Sequence, residues 1–101
     1  MKKVIYKKIK SKINIFYLKI YNDNQKHILQ NNSINHFRLI IVSKNFNNLS
    51  LIHRHKKIYS ILSQYIPKKI YSLQIFTYDI QEWITIPKKI NIAIQCSKKA
   101  L

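Results

Sequence analysis

The sequence is poor in residue types on which whole classes of functional site depend. It contains no glycine and a single cysteine, Cys96, which excludes a glycine-rich phosphate loop, an internal disulfide and a paired-cysteine zinc site. Its acidic residues are only Asp23, Asp79 and Glu82. Because general acid–base catalysis relies on positioned side chains such as carboxyl groups, we expect a protein without enzymatic activity.

Long apolar runs are also missing. The longest uncharged stretches, residues 58–67 and 70–78, hold about ten residues, roughly half of what a membrane-spanning helix needs. Residues 2–12 interleave lysines with apolar residues, which is not the pattern of a secretory signal. Together with the single cysteine, this predicts a cytoplasmic protein that does not insert into membranes.

Positive charge is what the sequence has in excess. The formal net charge is +16, and arginine occurs only at Arg38 and Arg54, so nearly all of this charge is lysine. Such a field attracts DNA, RNA and anionic membranes whatever the fold. Lysine, asparagine and isoleucine are also the residues that an AT-rich genome favours, and net charge alone therefore leaves selection for binding and mutational bias as open alternatives.

Hydrophobic spacing predicts the first two elements. Ile5, Ile9 and Ile13 follow a four-residue spacing with lysines on the other side, which is typical of an amphipathic helix. We expect this helix to pack on a sheet, and a membrane-surface helix is the alternative. Residues 16–21 then alternate, with Phe16, Leu18 and Ile20 on one side, as in a half-buried strand.

Further strands are predicted at residues 37–43, apolar enough to be central in the sheet, and at residues 71–78. Between them, Asn47 and Asn48 are the residues best able to adopt positive φ. An amphipathic helix follows at residues 53–65 and is stopped by Pro67.

Asp79 and Glu82 are spaced as a capping box that starts a short helix near residue 80. The element order is therefore α-β-β-α-β-α, an α+β fold in which helices cover one face of a three-stranded sheet. We predict one domain over residues 1–101, with a basic, flexible tail from about residue 87.

Four segments, in this order and spacing, resemble the BolA-like family of small non-enzymatic adaptors and regulators. They are the strand-like residues 36–43, the turn Phe46-Asn47-Asn48, the helix segment Arg54-His55-Lys56-Lys57-Ile58-Tyr59, and residues 73–83, which end at Trp83. The family's Phe-x-Gly turn has asparagine here in place of glycine. The resemblance extends over residues 2–96 and implies the BolA-like fold, which is related to the type II KH arrangement.

The resemblance implies two activities. One is DNA binding with control of genes for stress response and cell shape. The other is partnership with a monothiol glutaredoxin, in which the two proteins share a [2Fe-2S] cluster. The family's loop ligand for that cluster corresponds to His27, and its late cysteine to Cys96, but Tyr71 stands where the family has its invariant histidine. A phenol binds iron well only after losing a proton with a pKa near 10, which weakens the cluster hypothesis.

For DNA, the candidate residues are the basic ones around the second helix: Lys44, Arg54, Lys56, Lys57, Lys68 and Lys69. A helix N-terminus adds backbone N–H groups that favour phosphate, and a solvated basic face is the alternative. We interpret the chain as a DNA-binding transcriptional regulator, monomeric or weakly dimeric. The iron–sulfur adaptor is the main alternative, and a folded remnant of sequence drift is a third.

Overall fold

The computed structural model describes residues 1–23 and 35–86, which form a three-stranded sheet with three helices. The elements are α1 (Lys2–Lys12), β1 (Ile15–Asn22), β2 (His36–Ser43), α2 (Leu51–Ile61), β3 (Ser72–Tyr78) and α3 (Ile80–Thr85). Short 3₁₀ turns occupy Lys44–Phe46 and Ser63–Tyr65. The α+β prediction and its element order are confirmed. His27, Cys96 and the predicted flexible tail lie outside the described residues.

The sheet has the order β1-β2-β3, with β1 antiparallel and β3 parallel to the central strand. The central position of β2 was predicted from its apolar sequence and is confirmed, since every residue from Phe37 to Ser43 is buried. A strand with a partner on each side needs apolar residues on both faces once both faces are covered.

The core lies between the sheet and the two longer helices. Ile5 and Ile9 of α1 are fully buried, and Ile58 of α2 packs into the same cluster. The isoleucine spacing therefore marks a helix packed on the sheet, as predicted. None of the helices in residues 1–23 and 35–86 is long and apolar enough to span a bilayer.

The prediction that Phe16 shares the core face of β1 is wrong. The pairing of β1 with β2 shifts register between Ile15 and Tyr17, and the Phe16 side chain is 57 % exposed. An extra residue at such a bulge interrupts the alternation of side chains. Leu18 and Ile20, which follow the bulge, pack against the core as expected.

The second helix begins and ends earlier than residues 53–65. Ser50 caps it, and the Ser50 side chain accepts a hydrogen bond from the His53 N–H, so that α2 starts at Leu51. The chain then leaves the α-helix after Ile61 and tightens into the second 3₁₀ turn before Pro67. In the preceding turn, Asn48 has a φ of 62°, which confirms the positive φ predicted there, whereas Asn47 has a φ of −59°.

The capping box at α3 is confirmed in both directions. The Asp79 carboxylate accepts a hydrogen bond from the Glu82 N–H, and the Glu82 carboxylate accepts one from the Asp79 N–H. The Trp83 ring then stacks on Tyr17 at 5.1 Å and lies 5.4 Å from Tyr78, on the sheet face opposite α1 and α2. The expectation that helices cover one face therefore holds for α1 and α2 but not for α3.

Candidate functional site

Both arginines of the chain are buried, and between them they engage all three acidic side chains. Arg54 pairs with Asp79 and Glu82, a group that we call the Arg54 cluster. Arg38 pairs with Asp23, which we call the Arg38 pair. The two arginines are only 4 % and 2 % exposed, respectively. Buried cations of this kind require paired acids and fully used donors.

The Arg54 guanidinium uses its donors within the fold. Its Nη1 lies 2.7 Å from Glu82 Oε1 and 3.3 Å from the Thr77 carbonyl oxygen. Its Nε donates to the Leu49 carbonyl oxygen at 2.9 Å, and its Nη2 lies 3.9 Å from Asp79 Oδ2. Arg54 therefore holds the start of α2 to the end of β3 and to α3.

This position does not fit the prediction that Arg54 contacts DNA. The helical period carried the signal that would have corrected it, because Arg54 precedes Ile58 and Leu62 at four-residue spacing on the buried stripe of α2. The charge of the residue made it a DNA candidate, whereas its place in the period predicts burial.

The Arg54 cluster is also associated with shifted pKa values of two side chains, Glu82 and Tyr78. The hydrogen bond from Arg54 is the main reason why the pKa of Glu82 is lowered, and the Asp79 N–H bond lowers it further. Burial, followed by repulsion from the Glu82 charge, raises the pKa of Tyr78. Glu82 is thus held as the anion that Arg54 requires.

The Arg38 pair lies on the sheet face opposite α1 and α2. The Arg38 Nε is 2.9 Å from Asp23 Oδ2, and the Arg38 Nη2 is 3.3 Å from Asp23 Oδ1. The guanidinium carbon also lies 4.2 Å from the centre of the Tyr21 ring, a stacking contact that a planar guanidinium makes well. The pair joins the residue after β1 to the central strand.

Because the acids are engaged by arginines, the lysines have no acid partner in the part of the chain that is described. The five candidate lysines for DNA are all exposed: Lys44, Lys56, Lys57, Lys68 and Lys69. Their positive potential is therefore not cancelled locally by carboxylates.

These five lysines follow α2 from one end of the sheet to the other, and we call them the α2 lysine strip. Early in α2, Arg54 bonds to Thr77 near the end of β3, and later Tyr59 Oη donates to the Leu73 carbonyl oxygen near its start. The helix is thus antiparallel to β3. Lys44 follows the end of β2, whereas Lys68 and Lys69 precede β3. Since β2 and β3 are parallel, the strip has a length of about 25 Å.

The N-terminus of α2 carries a side-chain cap. Ser50 Oγ accepts the hydrogen bond from the His53 N–H at 3.3 Å and also lies 2.9 Å from His53 Nδ1. One of the four backbone donors at this helix end is therefore already satisfied by the cap.

The described residues do not form a site that fits an iron–sulfur cluster. Within residues 1–23 and 35–86, no group of three histidine, cysteine or acidic side chains is placed to hold a metal ion. Tyr71, at the position of the family's histidine ligand, is 61 % exposed, and its ring lies 5.4 Å from the His36 ring. His36 Nδ1 is itself 2.7 Å from Ser72 Oγ. The predicted ligand His27 stands outside these residues.

The sequence matches the family described as BolA-like protein over residues 9–82. The chain is 44 % identical over 95 residues to "Uncharacterized protein BU473" of Buchnera aphidicola, which covers 94 % of this chain and 91 % of that protein. It is 32 % identical over 80 residues to the "DNA-binding transcriptional regulator BolA" of Vibrio cholerae, covering 79 % of this chain and 76 % of the relative.

Solved structures share the fold. The BolA domain of SufE1 from Arabidopsis thaliana superposes with a TM-score of 0.70 at 26 % identity, covering 79 % of this chain and 92 % of that domain. A Bol-like protein from Babesia bovis gives a TM-score of 0.71 at 19 % identity, with coverages of 83 % and 90 %. The second likeness, at that identity, concerns the fold alone.

Proposed function

This chain belongs to the BolA-like family, and on that premise we propose that it is a DNA-binding transcriptional regulator acting in the cytoplasm without enzymatic activity. Following the family, the genes it controls are those of stress response and cell shape. The observation that carries the proposal is the α2 lysine strip, whose charges have no carboxylate partners in the described residues. Relatives named DNA-binding transcriptional regulators support it.

The length of the strip suits a short stretch of duplex. At about 3.4 Å per phosphate step along one strand, about 25 Å corresponds to roughly seven base pairs. Lysine ammonium groups bind phosphates as point charges, and such contacts position a protein on DNA without reading its sequence. We therefore expect affinity to fall steeply with salt.

The test is fluorescence anisotropy of a labelled duplex titrated with wild type and with the double variant Lys56→Ala/Lys57→Ala at several salt concentrations. We expect weaker binding and a log–log salt slope shallower by about one per lysine removed. A matched control, Lys8→Ala/Lys12→Ala, removes the same charge from α1 and should change the slope less. Equal losses in both variants would leave net charge, rather than the strip, as the cause.

We also propose a second candidate function, an adaptor that pairs with a monothiol glutaredoxin around a shared [2Fe-2S] cluster. The observation that favours it is the exposure of Tyr71 at the start of β3, where a partner can reach the phenol oxygen. The described residues alone do not supply the ligands, so this function requires His27, Cys96 or the partner to complete the set.

Anaerobic reconstitution with the glutaredoxin, followed by visible circular dichroism, tests this second function. A spectrum different from that of the glutaredoxin homodimer, and altered again in a Tyr71→Phe variant, would support a shared cluster in which the phenol takes part. If the spectrum measured with excess wild-type chain is that of the glutaredoxin homodimer, the second function is refuted.

A further inference from the structure

A second basic surface lies away from the α2 lysine strip, where α1 meets the edge strand β1. Here a groove of about 290 Å³ has an apolar floor made by Tyr6, Leu18 and Ile20. Leu18 and Ile20 are strand residues two apart and share one side of β1. The groove is of a size that holds a few apolar side chains rather than a whole domain.

Lysines of α1 border this groove. Lys2, Lys3 and Lys7 line it from the helix, whereas the ammonium group of Lys19 lies 5.7 Å from the Tyr21 ring, on the other face of β1. Lys3 and Lys7 are one turn apart on the helix and therefore lie next to each other along the groove. The acids are held by the Arg54 cluster and the Arg38 pair, so the three α1 lysines have no carboxylate partner among the described residues.

We propose that this groove docks an acidic amphipathic segment of a partner protein. Apolar side chains of that segment fill the floor, and its carboxylates reach the ammonium groups of α1. Charge complementarity identifies the partner, because an apolar floor bordered by Lys2, Lys3 and Lys7 matches an apolar stripe flanked by acids. Removing the floor from water adds the non-electrostatic part of the affinity.

The shape of the groove favours a protein segment over other polyanions. Duplex DNA presents phosphates on a wide cylinder and has no apolar group that would enter a floor of leucine and isoleucine. A flat membrane surface would lie across the lysines of α1 without entering the groove. A protein segment that enters the groove contacts these lysines and the apolar floor together.

The proposal adds a binding activity that does not depend on DNA binding. The groove lies beside the edge strand β1, and the α2 lysine strip follows the helix that bonds to the other edge strand, β3. A chain bound to DNA through that strip would keep the groove accessible. Such a chain could hold an acidic partner protein beside the DNA.

The test uses two labelled synthetic peptides of about 18 residues, roughly five helical turns. One has a leucine stripe flanked by glutamates, and the other has the same composition in scrambled order. Binding is measured by fluorescence anisotropy with the full chain, and ¹H–¹⁵N spectra locate the contact. We expect the amphipathic peptide to bind at least about fivefold more tightly and to shift the amide signals of Leu18 and Ile20.

Variants separate the groove from general charge attraction. Lys3→Gln/Lys7→Gln should weaken the affinity for the amphipathic peptide about fivefold. The control Lys8→Gln/Lys12→Gln, on the same helix, should change that affinity less than about twofold. Circular dichroism of each variant checks that α1 still forms.

Three results would overturn the proposal. They are equal affinity for the two peptides, equal loss in the two double variants, and amide shifts confined to α2. Vesicles of phosphatidylglycerol provide the membrane comparison. If they bind the chain and shift the Leu18 and Ile20 signals while the amphipathic peptide does not, the groove is a lipid surface and the protein-docking proposal fails.

Discussion

The Arg54 cluster and the Arg38 pair place the same kind of side chain in two different structural roles. Arg54 connects α2, β3 and α3, and it hydrogen-bonds two backbone carbonyls as well as Glu82. Arg38 lies within one pair of neighbouring strands, where backbone bonds already join β1 to β2. From this difference we expect an ion pair to contribute most to stability where no regular hydrogen bonding holds the elements together.

The comparison also explains why the two arginines are buried and the candidate lysines are exposed. A planar guanidinium with five donors can satisfy a carboxylate and backbone carbonyls together, whereas an ammonium group is a compact, strongly hydrated charge. Both arginines are accordingly buried, whereas their acid partners keep some contact with solvent and the candidate lysines are exposed. Because the arginines engage the acids, no acid pairs with these lysines among the described residues.

The largest expected effect is that of Arg54→Met, which keeps the length of the side chain but removes its donors. We expect the free energy of unfolding to fall by about 3 kcal/mol, because Glu82, Asp79 and two carbonyls lose their partner. Urea titration followed by Trp83 fluorescence measures it. A loss below that of Arg38→Met would reverse the comparison between the two sites.

Arg38→Met should cost less, about 2 kcal/mol. Only one acid, Asp23, loses its arginine partner, and the strands that the pair joins keep their backbone bonds. The same urea titration applies, with Arg38→Lys as a second variant. Full stability in the lysine variant would mean that charge alone, and not the guanidinium geometry, is what the site needs.

The Arg54 cluster should also make stability depend on pH. The pKa of Glu82 is lowered in the folded state, so its contribution is present above the ordinary value of 4.5 and is lost as the pH falls through the folded pKa. Urea midpoints measured from neutral to acid pH should drop less steeply for Glu82→Gln than for wild type. Parallel curves would contradict the assignment.

The smallest effect on stability is expected for an exposed lysine. Lys57→Met should change the free energy of unfolding by less than about 0.5 kcal/mol, since the side chain has no ion-pair partner among the described residues. Its affinity for duplex DNA should nevertheless fall. The buried arginines would then affect folding stability, whereas the surface lysines would affect DNA binding. A large loss of stability in Lys57→Met would remove that distinction.

Much of the fold was predictable because apolar spacing is a local property. Ile5 and Ile9 were assigned to the buried face of α1 from their spacing alone, and the capping box at Asp79 and Glu82 was found from two residues three apart. Phe16 was misplaced because a bulge is decided by how β1 pairs with β2, and no signal in β1 itself marks it.

The candidate site was less predictable than the fold. The lysines of the α2 strip were predicted as DNA contacts and are exposed, but Arg54 was grouped with them because of its charge and is buried. Its acid partners lie 25 and 28 residues further along the chain, and only the packing of α3 against the end of β3 brings them to α2. The groove beside α1 was missed for the same reason, since its two sides come from different elements.

The sequence by itself determined the element order, the buried stripe of each long helix, the family and the excess of positive charge. These follow from residue spacing and composition, which are set along the chain. Only the tertiary structure decided which cations face solvent, which acids pair with the arginines, and where an apolar floor lies beside the lysines of α1. Each of these depends on contacts between residues that are distant in sequence. A buried arginine requires an acid partner, whereas an exposed lysine is stabilised by hydration.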